Sequence, residues 1–184
     1  REPIRVAETH ISWVLLTGEV AYKVKKPIRL SFLDYSTLER RRELCEEELR
    51  LNRRLAPDLY LGVSAICGPP AAPRVDGDGV PVDYAVRMRQ FAPQDELTAL
   101  LEADAVTAAD LAQLGAAIAR FHVAATRAPA GAAFGRPDTI HRVTLDNFAE
   151  LRALPEAAAW RTVVDALERD VTPLHTRPRP RMLE

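Results

Sequence analysis

The sequence predicts an α+β fold, with a mostly antiparallel sheet and one helix in the first half of the chain and helices in the second. Two observations carry this prediction. Short runs that alternate apolar and polar residues, separated by turn residues, fill positions 4–91 and are typical of antiparallel strands. Beyond them the chain is rich in alanine, and its apolar residues recur at helical spacing.

Three short strands are expected at the start of the chain, at residues 4–8, 13–16 and 20–24. The segment from Thr17 to Glu19 contains Gly18 and joins the second and third strands, as in a hairpin turn. Pro27 ends the third strand, because proline cannot donate a hydrogen bond to a central ladder.

A charged helix follows the third strand. Ser36 and Glu39 have the spacing of a capping box, and the helix runs through Arg54 until Pro57 stops it. Two further strands are then expected, at residues 59–67 and 82–91, with a loop between them. The last strand shows clear alternation, with one face formed by Val82, Tyr84, Val86 and Met88.

The second half of the chain is expected to be helical. Thr107 and Asp110 form another capping box, and apolar residues follow at positions 111, 114, 118 and 121. After a loop at 126–139, Pro155 can open the last helix at its first position. The residues that this helix is expected to bury are Trp160, Val163, Val164 and Leu167. The proline-rich, basic segment 172–180 is expected to fray.

Composition excludes several classes of protein. The 184 residues are 47% hydrophobic and 28% charged, which is typical of a globular chain and not of a disordered one. The net charge of −1 argues against nucleic-acid binding, and no apolar run is long enough for a membrane span. Two cysteines, Cys45 and Cys67, cannot form a disulfide framework, so a cytoplasmic location is expected.

One carboxylate of the charged helix is expected to point at the protein core. At about 100° per residue, Glu48 falls in the middle of an apolar arc that includes Leu44, Leu51 and Leu55. The neighbouring Glu47 falls at the margin of that arc and Glu46 on the opposite side. An unpaired carboxylate in the core would cost several kcal/mol or take up a proton, so a cation is expected opposite Glu48.

The third strand supplies two such cations. Lys23 and Lys25 share one face of the strand with Ala21, while the other face is apolar. If the helix packs over the lysine face, Glu48 meets one of the two lysines. The alternative is that both lysines are solvated and that Glu48 tilts toward the rim, because long charged side chains reach water easily.

The segment Val20-Ala21-Tyr22-Lys23 resembles the V-A-I-K strand of the protein-kinase-like fold. The wider match is to a bacterial family of aminoglycoside phosphotransferase-like proteins, which are often fused to a C-terminal P-loop kinase domain. It is carried by residues 9–14, 21–27, 32–39, 45–57, 84–91 and 114–122. The resemblance implies a kinase-like N-lobe with its hinge at residues 1–91 and the first helices of a C-lobe at 92–184.

The resemblance also implies an ATP site. Lys23 would hold the α- and β-phosphates, Glu48 would fix that lysine, and Ala21 would lie beside the adenine. The residues 89–91, which include Gln90 and Phe91, would form the hinge that hydrogen-bonds the adenine edge. Which of Lys23 and Lys25 is the phosphate lysine stays open.

Four of the candidate residues have two possible interpretations each. The hydroxyls of Thr9 and Ser12 would contact the phosphates from the loop between the first two strands, which has no glycine; alternatively, they cap a turn. Met88 would line the back of the adenine pocket; alternatively, Met88 and Phe91 belong to the core.

Parts of the family's machinery do not occur in this sequence. There is no His-Gly-Asp loop followed by an asparagine, and Asp146 and Asn147 are adjacent, which is the wrong spacing. The residues that would bind Mg²⁺ are expected outside this chain, as is a fused P-loop domain, because no G-x-x-x-x-G-K-[ST] motif occurs. The chain is therefore expected to be a truncated piece.

The function implied is the ATP-binding portion of a phosphotransferase, which moves the γ-phosphate of ATP to a hydroxyl of an unknown small-molecule acceptor. As this fragment the chain is expected to be inactive. The alternative is a non-catalytic, kinase-like module that senses nucleotide or docks a protein partner.

Overall fold

The computed structural model describes residues 3–30, 32–129, 131–133 and 136–176, with side chains through Leu174. The chain forms two compact units, residues 1–123 and 124–184. The first unit contains an antiparallel sheet with helices, so a mixed α and β composition with an antiparallel sheet is confirmed. This boundary between units falls after the predicted end of the N-lobe at residue 91, and the two-lobe division stays a prediction.

The sheet of the first unit has six strands, which are β1 (Arg5–Glu8), β2 (Ser12–Leu16), β3 (Val20–Lys25), β6 (Tyr60–Cys67), β7 (Arg74–Val75) and β8 (Pro81–Arg89). Their order in the sheet is β1-β2-β3-β8-β6-β7. All neighbouring strands run antiparallel. The predicted long strands are present, and β7 is a short strand inside the predicted loop.

A second hairpin and one long helix complete the sheet region. The hairpin is formed by β4 (Arg29–Leu30) and β5 (Leu33–Asp34), which the sequence reading did not anticipate. Helix α1 (Leu38–Asn52) packs against β6 and β8. Its core side is centred on Cys45, which is fully buried.

Helix α1 is capped by Thr37, so the prediction of a Ser36 cap is wrong. Thr37 has extended backbone angles, and its hydroxyl accepts a hydrogen bond from the Arg40 N–H at 3.2 Å. Ser36 is not available as a cap because its hydroxyl and its N–H both donate to the Asp34 carboxylate, at 2.6 and 3.1 Å.

Replacing Thr37 by alanine should lower the free energy of unfolding by about 1 kcal/mol, the usual cost of losing an N-cap side chain. Ser36→Ala is the matched control and should cost less, because it leaves the first turn of α1 capped. Urea denaturation of the two variants measures the difference. A larger loss for Ser36→Ala would show that the cap has been placed at the wrong residue.

Two helices follow the sheet in the first unit, after a short 3₁₀ turn (Pro93–Asp95). Helix α2 (Leu97–Glu102) precedes α3 (Ala108–Ala124), and the Thr107 capping box is confirmed. The Asp110 N–H donates to the Thr107 hydroxyl at 3.2 Å, while the Thr107 N–H donates to the Asp110 carboxylate at 2.9 Å. The apolar residues of α3 are largely exposed, and they include Leu111, Leu114 and Ile118.

The second unit contains a pair of packed helices, α4 (Pro137–Ala153) and α5 (Ala157–Thr176). Helix α4 begins inside the predicted loop at 126–139. Pro155 lies in the turn between the helices and does not open α5, and α5 continues through part of the segment expected to fray. The remainder of that segment, 177–180, lies outside the described residues.

Burial along α5 differs from the prediction. Val164 is buried, as is Phe148 on α4, but Trp160, Val163 and Leu167 are exposed. A pair of helices covers only one stripe of each partner, so a broader apolar face cannot all be buried within this unit. Among the described residues, no helix has both the length and the apolar character needed to cross a membrane.

Candidate functional site

Two lysines of β3 meet one glutamate of α1 on the helix-covered side of the sheet. The Lys23 ammonium lies 2.9 Å from Glu48 Oε1, and the Lys25 ammonium lies 2.6 Å from Glu48 Oε2. The sequence predicted that Glu48 would meet one of these lysines, and it meets both. The alternative, with solvated lysines and a tilted glutamate, is excluded by the 14% exposure of the Glu48 side chain.

The orientation of α1 explains why Glu48 is the glutamate that reaches the sheet. Glu46 and Glu47 lie on the outer side of the helix and pair with arginines of the same helix, Arg42 and Arg50. The helical arc was wrong for its last members, because Leu51 and Leu55 are exposed. Helix α1 ends at Asn52, so Leu55 no longer follows the helical period.

Burial and the two lysines shift the pKa of the Glu48 carboxyl in opposite directions. Burial alone would raise the pKa of the Glu48 carboxyl, but hydrogen bonds from Lys25 and Lys23 outweigh it and hold this pKa below its ordinary value. Burial likewise opposes the charge on Lys25, yet the Glu48 carboxylate raises the pKa of Lys25 above its usual range. Glu48 and Lys25 are therefore both charged at neutral pH.

The two lysines differ in accessibility. The Lys25 side chain is 1% exposed, and its ammonium also donates to the Tyr35 hydroxyl at 3.3 Å. The Lys23 side chain is 30% exposed and bonds to Glu48. Of the two lysines left open by the sequence, Lys23 is thus the one that an incoming ligand can reach.

A pocket of about 240 Å³ opens on the face of the sheet that carries Lys23, and Lys23 itself is not among its lining residues, although its cross-strand partner Val14 is. Four of the residues selected from the sequence line it, namely Ala21, Met88, Gln90 and Phe91. Ala21 and Met88 are direct cross-strand partners, and Lys23 lies two residues farther along β3. Such a step along one face is about 7 Å.

Other residues that line the pocket were not predicted from the sequence. They come from β1, from β2 and from the segment after β8, and they include Ala7, Val14, Leu16 and Pro93. On β2, the register that pairs Leu16 with Ala21 and Val14 with Lys23 places these two residues on the lysine face. That register could be read only after the length of the hairpin turn was known.

Gln90 and Phe91, which follow β8, differ in the hydrogen bonds that they make. The Gln90 side-chain oxygen accepts a hydrogen bond from the Gly18 N–H at 2.9 Å, and the Gln90 N–H donates to the Glu19 carbonyl at 2.8 Å. Gln90 thus fastens the β2–β3 turn. Phe91 is half exposed, and its N–H donates no hydrogen bond to an acceptor in the part of the chain described here.

The two hydroxyl residues near the β1–β2 loop have different roles. The Thr9 hydroxyl donates to the Ser12 carbonyl at 3.1 Å and accepts from the Ser12 N–H at 3.0 Å, so it closes a turn. This is the turn-capping alternative considered for Thr9. Ser12 is fully buried, and among the described residues its hydroxyl has no hydrogen-bond partner.

Within the described residues, no three histidine, cysteine, aspartate or glutamate side chains come together as a metal site. Burial raises the pKa of the Cys45 thiol to about 11, so this cysteine is a neutral core residue. Cys67 is buried as well.

Comparison with known proteins finds relatives of unassigned function. No family model and no solved structure matches the chain. Uncharacterized proteins of Mycobacterium tuberculosis and Mycobacterium bovis are 34% identical to it over 149 residues, which is 81% of this chain. The matched region is 28% of the length of each relative, so the chain resembles one part of these longer mycobacterial proteins.

Proposed function

We propose that the chain binds ATP, as the nucleotide-binding portion of a phosphotransferase that moves the γ-phosphate to a hydroxyl of a small molecule. The observation that carries the proposal is that an accessible, carboxylate-paired lysine, Lys23, lies on the same face of one sheet as a mostly apolar pocket, two residues along β3 from the lining residue Ala21. An aromatic base and a phosphate chain need those two environments next to each other.

The pocket suits a purine base. Its walls are apolar where Ala21, Val14 and Met88 line it, and its volume of about 240 Å³ is below the usual range of ligand pockets, so it would hold the base alone and not a whole nucleotide. The Phe91 N–H at its rim is a backbone donor that could bond the edge of the base. A kinase-like N-lobe is the fold that this arrangement supports.

Lys23 would contact the phosphates, which would then extend from the pocket along β3. Mg²⁺ would neutralise phosphate charge in the transfer reaction. The described residues do not offer a metal site, so the proposal gives Mg²⁺ no ligand from this chain. The sequence also has no His-Gly-Asp loop, so the contribution assigned to this chain is binding of the nucleotide and not transfer.

The test is a calorimetric titration of the chain with Mg-ATP, beside the variant Ala21→Phe. The added ring would occupy the pocket and weaken binding by about tenfold or more, since a loss of 1.4 kcal/mol is a factor of ten. Val20→Phe adds the same kind of bulk on the opposite face of β3 and should bind like the parent chain. Equal affinities for all three proteins would contradict the proposed pocket.

A further inference from the structure

Two cations share one carboxylate in the site, so the cluster of Lys23, Lys25 and Glu48 has a net charge of +1. Each oxygen of Glu48 bonds to a different lysine. A single lysine paired with the glutamate would give a neutral cluster. The second lysine therefore determines whether Glu48 still has a partner when the Lys23 ammonium moves away from it.

We infer that Lys25 is a positioning residue: it holds Glu48 in place, so that Lys23 can move its ammonium group onto the phosphates of a bound nucleotide. This inference rests on the function proposed above. Lys25 itself does not contact the ligand.

The reason lies in the burial of Glu48. If Lys23 were its only partner, movement of Lys23 toward a ligand would leave a mostly buried carboxylate unpaired, which costs several kcal/mol. The bond from Lys25 to the other oxygen keeps the carboxylate paired throughout. A ligand phosphate then competes for Lys23 without having to compensate the desolvation of Glu48.

Lys25 is held firmly enough for this task. Its ammonium donates to the Tyr35 hydroxyl and lies 4.8 Å from the centre of the Tyr35 ring. Tyr35 is fixed in turn, because its carbonyl accepts a hydrogen bond at 3.1 Å from the buried Arg41, which pairs with Asp83 on β8 at 2.8 Å. Lys23 makes no such second contact among the described residues.

Two further groups near Glu48, Tyr60 and Cys45, are uncharged near neutral pH. Burial raises the pKa of Tyr60, which faces Glu48 from β6, and the pKa of the Cys45 thiol on α1 is raised to about 11. Tyr35 contributes a hydroxyl through Lys25. The ionisation of Glu48 therefore depends on its two lysines.

The direct test is a titration of the Glu48 carboxyl by carbon-detected NMR in the parent chain, Lys23→Met and Lys25→Met, without nucleotide. We expect Lys23→Met to leave the pKa of Glu48 depressed and Lys25→Met to raise it above the value in Lys23→Met. Equal pKa values in the two variants, or the reverse order, would overturn the inference. The Lys23→Met measurement stands alone if Lys25→Met folds poorly.

A second test measures Mg-ATP affinity of the parent chain and Lys25→Met between pH 8 and pH 6. At pH 8 the variant should bind about tenfold more weakly, the factor for one lost charged hydrogen bond. The deficit should shrink as the pH falls, because Glu48, left buried and unpaired when Lys23 moves to the ligand, takes up a proton more readily than in the parent chain. A merely structural lysine would give a deficit that stays constant or grows.

The outcomes separate this inference from the proposed function. If the parent chain does not bind Mg-ATP while the NMR order is as expected, the proposed function fails and the anchoring of Glu48 stands. If the parent chain binds and Lys25→Met binds equally well at pH 8, the inference fails and the proposed function stands.

Discussion

Replacing Glu48 by glutamine should lower the free energy of unfolding by about 3 kcal/mol at pH 7, the range found when one partner of a buried ion pair is removed. The loss comes mainly from Lys25, which is 1% exposed and would keep a full charge without its carboxylate. Lys23 contributes less because it can turn its ammonium toward water. Chemical denaturation of the parent chain and the variant measures the difference.

Glu46→Gln is the matched control for that measurement. Glu46 lies two residues earlier on the same helix, is exposed, and pairs with Arg42 at the surface. Exposed pairs contribute little, so this variant should unfold like the parent chain. A comparable loss in both variants would mean that the effect arises from helix charge and not from the buried cluster.

The contribution of Glu48 to stability should also depend on pH. Its folded-state pKa lies below the ordinary value of 4.5, so its contribution is fully present above that value and disappears as the pH falls through the folded-state pKa. The stability difference between the parent chain and Glu48→Gln should therefore be constant near neutrality and narrow in acid. A difference that widens in acid would contradict the lowered pKa.

Replacing Lys23 by methionine should weaken Mg-ATP binding by about ten- to hundredfold, the effect of removing a charged hydrogen bond to phosphate. Stability should change little, because Lys25 still pairs with Glu48 and no buried charge is left bare. The combination of lost affinity and retained stability is the expected signature of a ligand-binding lysine. Calorimetry and thermal unfolding of the same preparation measure both quantities.

Lys26→Met is the control for this experiment. Lys26 follows β3 directly, but it bonds to Glu8 and lies over the Trp13 ring, away from Glu48. It should bind Mg-ATP like the parent chain. Equal losses for Lys23→Met and Lys26→Met would point to a general effect of positive charge, and the assignment of Lys23 would fail.

The ion-pair cluster was predictable from the sequence because two periodicities converge on it. A strand places Lys23 and Lys25 on one side, and a helix places Glu48 toward the core, so a buried carboxylate and its cations must meet. The sequence could not show which lysine is buried against Glu48 and which one a ligand can reach. That difference depends on Tyr35, which the short β4–β5 hairpin brings to Lys25.

Two other features, the N-cap of α1 and the exposure of Trp160, were not predictable from the local sequence. Ser36 and Thr37 are both good capping residues, and the choice was decided by the Asp34 carboxylate, which takes the Ser36 hydroxyl. The exposure of Trp160 could not be read from α5 alone, since helical periodicity identifies an apolar face but not whether a neighbour covers it.

The pairing of β3 with β8 has a kinetic consequence. Val20 is opposite Arg89, and the bond between Gly18 and Gln90 joins residues 72 positions apart. Contacts of such long range form late, because the entropy of closing the loop must be overcome before they contribute.

The hairpins β1–β2 and β2–β3 can form early from local contacts, but Met88, Gln90 and Phe91 then lie far from Ala21. The pocket is therefore absent from any folding intermediate in which β8 is unpaired, and it becomes available to a ligand only with the closure of the sheet.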